Sequence, residues 1–480
     1  MTATKGTPAS PRAPAPGPTP KALAGLFGDA ELLGLVTEIL GIDPPRRLGV
    51  PSFVSLEGSK GSAAGVRELP RAPSVARLDA PSRTIRDLAG NEDVLKLLER
   101  SFATMADPMG SVPPGTDVPL RPAAPTGWTQ GASQGGPGWY GWGGDAHPAS
   151  RRHIAAHMRS LLPAVPNDCN DVGVFVVDVG MSAAYLARPS SAVPGGTQLR
   201  GGLKLSGGDL NTQQPGRFAD PYARQSDGHG NMVARNITSM APSVALYDVP
   251  LLPEQVSDVA QFASVATLLM WAMWFVITAD GKLGLPKHRH WIVVNAWAVA
   301  DRFADVPGPF GYADNPDHPL NLMTSALAVL PNCDVVFAAG NNGELVPDPM
   351  SGLYDRGPHR SIWGANGLPG VHTVGAVTPG GRTIAASSQG PSLPALAGGH
   401  ENRKPDLAAS SWFHEEDDAS VWNSGTSAAA ALYAGWLACF RSSGQTHSVP
   451  DQAPDAAEWS PHAGNPILPR SDGTVGAGTV

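Results

Sequence analysis

Apolar runs that end in polar residues alternate with helix-like segments from about residue 150 to about residue 440. The run at 172–178 is apolar up to its last residue, an aspartate, and four similar runs follow it: SVALYDVPLL, WIVVNAWAV, DVVFAAGN and VHTVGAV. Continuous apolar runs are typical of parallel strands that are covered on both faces. Their alternation with helices predicts an α/β fold, in which a mostly parallel central sheet lies between two layers of helices.

The rest of the chain divides by composition. Residues 1–48 form a Pro/Ala-rich tail with one short amphipathic helix. Residues 49–104 predict a small α+β unit, with strands at VPSFVSLEG and PSVARLD followed by two helices. Residues 105–149 are a Gly/Pro/Trp linker, and residues 446–480 are a polar tail, which leaves residues 150–445 for the α/β domain.

Charge and targeting signals argue against several partners. The formal net charge of −8 gives no basis for a nucleic-acid-binding surface. Residues 1–20 contain no apolar signal-peptide core, which favours a cytoplasmic location over secretion. The apolar stretch at 262–278 is near the lower length limit for a membrane span, and we expect a buried helix there and no membrane partner.

The cysteine and histidine content predicts neither a disulfide framework nor a metal site. Cys169, Cys333 and Cys439 are an odd and sparse set, which indicates small buried side chains. His153 and His157 lie one helical turn apart, but no third ligand is evident.

Polar residues at the ends of these elements are candidates for catalysis. Ser427 begins an apolar helix, where unpaired N–H groups favour negative charge. Asp178 ends a buried strand, at the sheet edge where α/β proteins place their sites. His229 lies between two glycines, and Asn341 follows the strand DVVFAA. Taken singly, each residue also allows a structural role: a helix cap, a turn, a surface histidine or an Asn-Gly turn.

One alternative arrangement for the serine is a nucleophile elbow, which requires the pattern G-x-S-x-G. Gly425 is present, but Ala429 replaces the second glycine. The sequence therefore gives no support to the strand-to-helix elbow of the α/β-hydrolases.

The order Asp, His, Asn, Ser within one α/β domain is the subtilisin order. The segments HGNMVA at 229–234, DVVFAAGNNG at 334–343 and GTSAAAALYAG at 425–435 resemble the histidine, asparagine and serine motifs of the subtilisin-like serine peptidases. The chain therefore resembles a subtilase over about residues 150–440.

The resemblance implies a subtilisin-like three-layer fold and a serine endopeptidase that acts on peptides or proteins through an acyl-enzyme. Asp178, His229 and Ser427 would form the catalytic triad, and Asn341 would donate to the oxyanion. No cofactor would be required, although structural calcium occurs in the family and the acidic run at 415–418 offers carboxylates. Residues 49–104 weakly resemble the intramolecular propeptide of the family, which would be released by cleavage in the linker; the alternative is a permanent accessory domain.

The same comparison predicts the substrate-binding residues Trp297, Ala298, Val299, Ala339 and Gly340. The family has a Ser-Leu-Gly-Gly-like stretch where this chain has Trp-Ala-Val-Ala at 297–300. Larger side chains there predict a narrower cleft and restricted specificity.

Other departures from the motifs keep an alternative open. Val179 follows the aspartate, Asn231 and Met232 follow His229-Gly230, and Ala430 and Ala431 stand where a Ser-Pro pair is usual. The alternative function is a catalytically silent subtilase fold that acts as a binding or scaffold protein.

Overall fold

The computed structural model describes residues 50–57, 62–69, 150–160, 162, 169–188, 198–206, 221–222, 228–252, 259–298, 311–343, 361–379, 381–415, 422–444 and 459–464. The strands within them are β1 (Val50–Glu57), β2 (Ser62–Glu68), β3 (Val172–Asp178), β4 (Leu199–Ser206), β5 (Ala245–Pro250), β6 (His290–Asn295), β7 (Cys333–Ala338), β8 (His372–Val377), β9 (Leu407–Ser410), β10 (Phe413–His414) and β11 (Trp422–Asn423). The helices are α1 (Arg151–Arg159), α2 (Ala183–Leu186), α3 (His229–Met240), α4 (Val259–Ala279), α5 (Pro319–Ala328) and α6 (Gly425–Ser442). Short 3₁₀ turns lie at Lys282–Gly284, Gly364–Gly367 and Pro394–Ala397.

Nine of the described strands form one sheet in the order β2-β1-β4-β5-β3-β6-β7-β8-β9. All neighbouring pairs from β4 to β9 are parallel, whereas β1 runs antiparallel to both of its neighbours. The five apolar runs quoted above are β3, β5, β6, β7 and β8. The predicted α/β fold with a mostly parallel sheet is therefore confirmed.

Alternate residues of the central strands face two different layers of helices. In β3, Phe175 and Val177 belong to the apolar core that includes α4 and α5, whereas Val174 and Val176 belong to the core that includes α3 and α6. Every residue of β3 is buried. Because both faces are covered, the strand needs apolar residues at every position, which explains the uninterrupted run in the sequence.

The long apolar helix α4 is buried within the first of these cores, as expected for residues 262–278. Trp271 and Trp274 stack with ring centroids 5.2 Å apart, and neither is more than 1% exposed. Burying a large apolar side chain stabilises the fold by about 1.5–3 kcal/mol. No helix in the described part of the chain has the length and apolarity needed to cross a membrane.

The strands β1 and β2 extend the main sheet. The sequence had indicated a separate small unit over residues 49–104, but its described part, residues 50–57 and 62–68, belongs to this sheet. β1 pairs with β4 from Val50↔Ser206 to Ser55↔Gly201. The Phe53 ring packs against that of Tyr247 in β5 with centroids 5.9 Å apart. The predicted strand VPSFVSLEG is β1, but β2 was not predicted. The predicted strand PSVARLD and the two following helices lie outside the described residues.

Candidate active site

The candidate catalytic residues all lie at the carboxyl end of the sheet. Asp178 is the last residue of β3, the strand from which the chain turns first to β4 and β5 on one side and later to β6 on the other. Such a switch point leaves a crevice outside the strand ends. His229 begins α3, Asn341 follows β7, and Ser427 is the third residue of α6. The fold therefore brings these four residues to one sheet edge.

His229 and Asp178 form a buried pair. His229 Nδ1 lies 2.9 Å from Asp178 Oδ1 and 2.8 Å from Asp178 Oδ2. The Val179 N–H donates to Asp178 Oδ1 at 2.7 Å, which fixes the carboxylate. When Nδ1 carries the proton and donates it to the carboxylate, Nε2 has a lone pair. His229 Nε2 is buried and has no hydrogen-bond partner in the described part of the structure.

The first turn of α3 packs directly on the loop that follows Asp178. A Cβ at Gly230 would lie 2.5 Å from the carbonyl oxygen of Gly180, so only glycine allows this approach. Asn231 Oδ1 accepts the N–H of Ser182 at 2.8 Å. Asn231, noted in the sequence only as a departure from the family motif, thus joins the helix of His229 to the loop of Asp178.

A second buried side chain holds the same loop. Asp248 in β5 is fully buried, and its Oδ2 accepts the N–H of Met181 at 3.1 Å and the N–H of Tyr222 at 2.7 Å. Asp248 is not among the residues predicted from the sequence. A carboxylate within the apolar run SVALYDVPLL was the available signal, because a buried carboxylate needs donors.

Ser427 lies in the first turn of α6, after Gly425 with its φ of +72°. Its hydroxyl donates to the carbonyl of Ala296, just past the end of β6, at 2.8 Å. The hydroxyl is therefore bonded to backbone rather than to His229 Nε2. The helix N-terminus around it provides N–H groups and a positive potential for an anionic oxygen.

Asn341 is held by Thr426, the residue before Ser427. Asn341 Oδ1 accepts the backbone N–H of Thr426 at 3.0 Å and its hydroxyl at 3.1 Å. The hydroxyl in turn accepts the N–H of Gly340 at 3.1 Å. Because Oδ1 is the acceptor in these contacts, the Nδ2 donors lie on the other side of the carboxamide. Thr426 is not among the residues predicted from the sequence.

The predicted substrate-binding residues are only partly in place. Trp297 is 1% exposed, and its ring packs edge-on against Phe262 and Phe337 at centroid distances of 5.2 and 5.4 Å. Its carbonyl already accepts Asn366 Nδ2 at 2.9 Å. The prediction that the Trp297 side chain narrows the cleft is therefore corrected: the ring faces the core because the strand alternation directs residue 297 toward α4.

The other four residues of that set differ among themselves. Ala298 is half-buried, and its Cβ lies 3.2 Å from where a Cβ on Gly340 would be. Ala339 is buried, with its N–H bonded to the carbonyl of Val374 at 2.9 Å. Val299 lies outside the described residues.

The first residue of the acidic run has a structural partner. Both Glu415 carboxylate oxygens accept from the guanidinium of Arg151, each at 2.7 Å, and the two side chains are almost completely buried. Glu415 is thus part of a buried ion pair rather than an exposed acidic run. Residues 416–418 lie outside the described part, and within that part no three metal-ligating side chains cluster.

Residues 209–453, just over half of the chain, match the model of the subtilase family, peptidase S8. The chain belongs to the subtilase family. It is therefore a serine-type endopeptidase by family. The matched segment contains His229, Asn341 and Ser427 but begins after Asp178, so the place of Asp178 in this subtilase site depends on its contact with His229.

Three solved structures illustrate what the chain path is similar to. The MycP3 protease of a type VII (ESX-3) secretion system is 19% identical, with 75% of this chain and 95% of that chain covered and a TM-score of 0.40. A cold-adapted subtilisin-like serine proteinase is 15% identical, with 61% and 86% covered and a TM-score of 0.37. MycP1 from Mycobacterium smegmatis is 17% identical, with 74% and 88% covered and a TM-score of 0.39. No curated protein sequence matches the chain significantly.

Proposed function

We propose that this subtilase hydrolyses peptide bonds with Ser427 as nucleophile, His229 as general base and acid, and Asp178 as the residue that orients His229. The observation that supports this most strongly is the buried contact between His229 Nδ1 and the Asp178 carboxylate. A carboxylate on Nδ1 holds the tautomer in which Nε2 accepts a proton, and it stabilises the imidazolium that follows.

The reaction requires a rotation of the Ser427 hydroxyl. In the proposed first step, this hydroxyl leaves the carbonyl of Ala296 and donates instead to His229 Nε2, a change between staggered rotamers. Ser427 Oγ then attacks the scissile carbonyl while His229 takes its proton. His229 returns the proton to the leaving amine, and water hydrolyses the acyl-enzyme by the same route, with no cofactor.

Asn341 Nδ2 and the backbone N–H of Ser427 are the proposed donors to the oxyanion. Support comes from Thr426, which fixes the orientation of the carboxamide through two hydrogen bonds to Oδ1. One preorganised donor of this kind lowers the barrier by about 3–4 kcal/mol.

The proposed restricted specificity rests on Ala298, because Trp297 is buried in the core. The Ala298 methyl group lies beside Gly340, directly before Asn341. A glycine at position 298 would leave more room beside Gly340. We expect the wild type to cut unfolded casein at few bonds and Ala298→Gly to accept larger side chains on the acyl side of the cut bond. Cleavage of a peptide library by the two proteins measures this, and identical broad profiles would contradict it.

Labelling with a fluorophosphonate probe tests the nucleophile. We expect the native chain to be labelled at Ser427, and both heat denaturation and His229→Ala to abolish labelling. Ser424→Ala is the matched control, since Ser424 is the N-cap of the same helix and makes no side-chain capping bond. Peptide mapping identifies the labelled residue.

The alternative, a silent fold that binds or scaffolds, has one observation in its favour. The Ser427 hydroxyl donates to Ala296 rather than to His229. If this contact is permanent, neither labelling nor hydrolysis occurs although the native chain is folded. Absence of both with an unchanged circular dichroism spectrum would support the alternative.

We also propose that residues 49–104 act as a propeptide and that cleavage falls in the 105–149 linker. Because β1 is paired with β4 inside the sheet, cutting the linker should leave the β1–β2 hairpin bound rather than release it. Intact mass and gel filtration of wild type and Ser427→Ala test this. Processing predicts two fragments that co-elute in the wild type and one intact chain in the variant, and an uncut wild type would contradict it.

A further inference from the structure

Two of the three cysteines are in contact, although 270 residues separate them in the sequence. Cys169 Sγ and Cys439 Sγ lie 3.4 Å apart as free thiols, and both side chains are buried. Cys333 belongs to the core on the other side of the sheet, with α4 and α5. All three cysteines are buried and free, as expected, and the contact between Cys169 and Cys439 is the feature that the sequence did not predict.

The sulfur pair lies where the three elements of the candidate active site meet, at the ends remote from that site. Cys439 is in α6, twelve residues after Ser427, which places it about 18 Å along the helix from the serine. Cys169 lies three residues before the start of β3, the strand of Asp178. Cys439 Sγ also contacts the carbonyl of Met240, the last residue of α3, at 3.2 Å.

Backbone packing holds the two sulfurs in this position. A Cβ on Gly435 would lie 2.5 Å from the carbonyl oxygen of Ile237, so α6 and α3 approach each other as closely as their backbones allow. The N–H of Val172 donates to the carbonyl of Cys169 at 3.1 Å, which fixes Cys169 to the start of the sheet. With both backbones fixed, a disulfide requires the two sulfurs to approach from 3.4 Å to the bond length of about 2.05 Å by movement of the side chains.

We propose that Cys169 and Cys439 form a disulfide on exposure to a peroxide-class oxidant, and that this bond stabilises the fold by joining α6 to the start of β3. In the first step, a Cys439 thiolate attacks hydrogen peroxide, the O–O bond breaks and hydroxide leaves, which gives a sulfenic acid. Cys169 then attacks the sulfenic sulfur, and the S–O bond breaks. Two thiols and one peroxide become one disulfide and two waters.

The order of these steps follows from the contact between the sulfurs. The hydrogen bond from Cys169 lowers the pKa of Cys439; burial opposes this, and the charge of Arg159 adds to the lowering. The same hydrogen bond and burial raise the pKa of Cys169. Since the thiolate is the reactive form, Cys439 is oxidised first and Cys169 resolves it.

The expected effect is on stability rather than on catalysis. A bond that closes a loop of this length restricts the unfolded chain strongly, so we expect the Tm to rise by about 5 °C or more. The bond lies at the far end of α6 from Ser427, so the kcat of the wild type at 25 °C should change by less than about twofold.

The test uses the full chain with Ser427→Ala, which removes self-cleavage and makes the result independent of the proposed function. The protein is treated with hydrogen peroxide and then denatured in the presence of iodoacetamide, which alkylates the remaining free thiols. Its peptides are mapped by mass spectrometry. We expect alkylation of Cys333 alone, a linked peptide containing Cys169 and Cys439, reversal by dithiothreitol, and the rise in Tm.

Matched variants separate the pair from the third cysteine. Cys333→Ser should still form the linked peptide, whereas Cys169→Ser should not form it and should show no rise in Tm. Alkylation of all three cysteines after peroxide, or a sulfinic acid at either sulfur, overturns the disulfide. A linked peptide without a rise in Tm overturns the stabilising role.

Discussion

His229 Nδ1 contacts both carboxylate oxygens of Asp178, at 2.9 and 2.8 Å, with both side chains buried. The contact joins the end of the central strand β3 to the start of α3. It also defines the direction of the proton, because a carboxylate accepts only from a protonated Nδ1. The first prediction tests that direction.

Asp178→Asn should lower kcat about 10³–10⁴-fold. The Asn amide would donate to Nδ1 and thereby force the ring proton onto Nε2. A protonated Nε2 cannot accept the serine proton. Steady-state kinetics on a chromogenic peptide measures the loss. Asp171→Asn, at the opposite end of the same strand, is the control, with kcat expected within about twofold of wild type. A loss below tenfold in Asp178→Asn would contradict the assigned role.

Thr426→Val should lower kcat about tenfold with KM unchanged, because Asn341 Oδ1 loses the hydroxyl donor at 3.1 Å and the carboxamide is less well fixed. Thr426→Ser keeps the hydroxyl and should stay near the wild-type rate. Kinetics of the two variants checks this. An equal loss in both, or a change in KM alone, would show that the hydroxyl does not position Asn341.

A buried network at the amino ends of β6, β7 and β8 predicts a dependence of stability on pH. The Asp334 carboxylate accepts from Arg441 at 2.7 and 2.8 Å, from His290 at 2.8 Å and from His372 at 3.3 Å. Burial by itself raises the pKa of Asp334, but these donors outweigh it and hold the pKa well below its ordinary value. A depressed carboxyl pKa stabilises the fold above the unfolded pKa of about 3.9, and that contribution is lost as the pH falls further.

Asp334→Asn should therefore destabilise the protein at pH 7 by about 3–5 kcal/mol. The difference from wild type should shrink below about pH 4. Urea unfolding of both proteins between pH 6 and pH 3 measures the free energy of unfolding. A difference that stays constant over this range would show that the carboxylate charge is not responsible.

The pair Arg151–Glu415 should behave as a unit. Glu415→Gln or Arg151→Met alone should each lower the free energy of unfolding by about 3–5 kcal/mol, because each leaves the partner's buried charge unpaired. The double variant should lose less free energy of unfolding than the two single variants lose together. A double-mutant cycle by urea unfolding gives the coupling energy, and additive losses would contradict it.

Local pattern was enough for much of the fold and the site. Continuous apolar runs gave β3, β5, β6, β7 and β8 because strands covered on both faces need apolar residues throughout. The polar residue after a strand, or at the start of a helix, marked the sheet edge where Asp178, His229 and Ser427 lie. Both the apolar runs and the polar residues at their ends are set by residues close together in the sequence.

The tertiary structure decided what depends on distant partners. The pairing of β1 with β4, the ion pair of Arg151 with Glu415 and the contact of Cys169 with Cys439 join segments about 150 to 270 residues apart. The rings that Trp297 packs against, Phe262 in α4 and Phe337 in β7, also come from other elements of the fold. The sequence by itself determined which residues could do chemistry, and packing determined which of them meet, because a contact between distant segments is fixed only when the whole core is assembled.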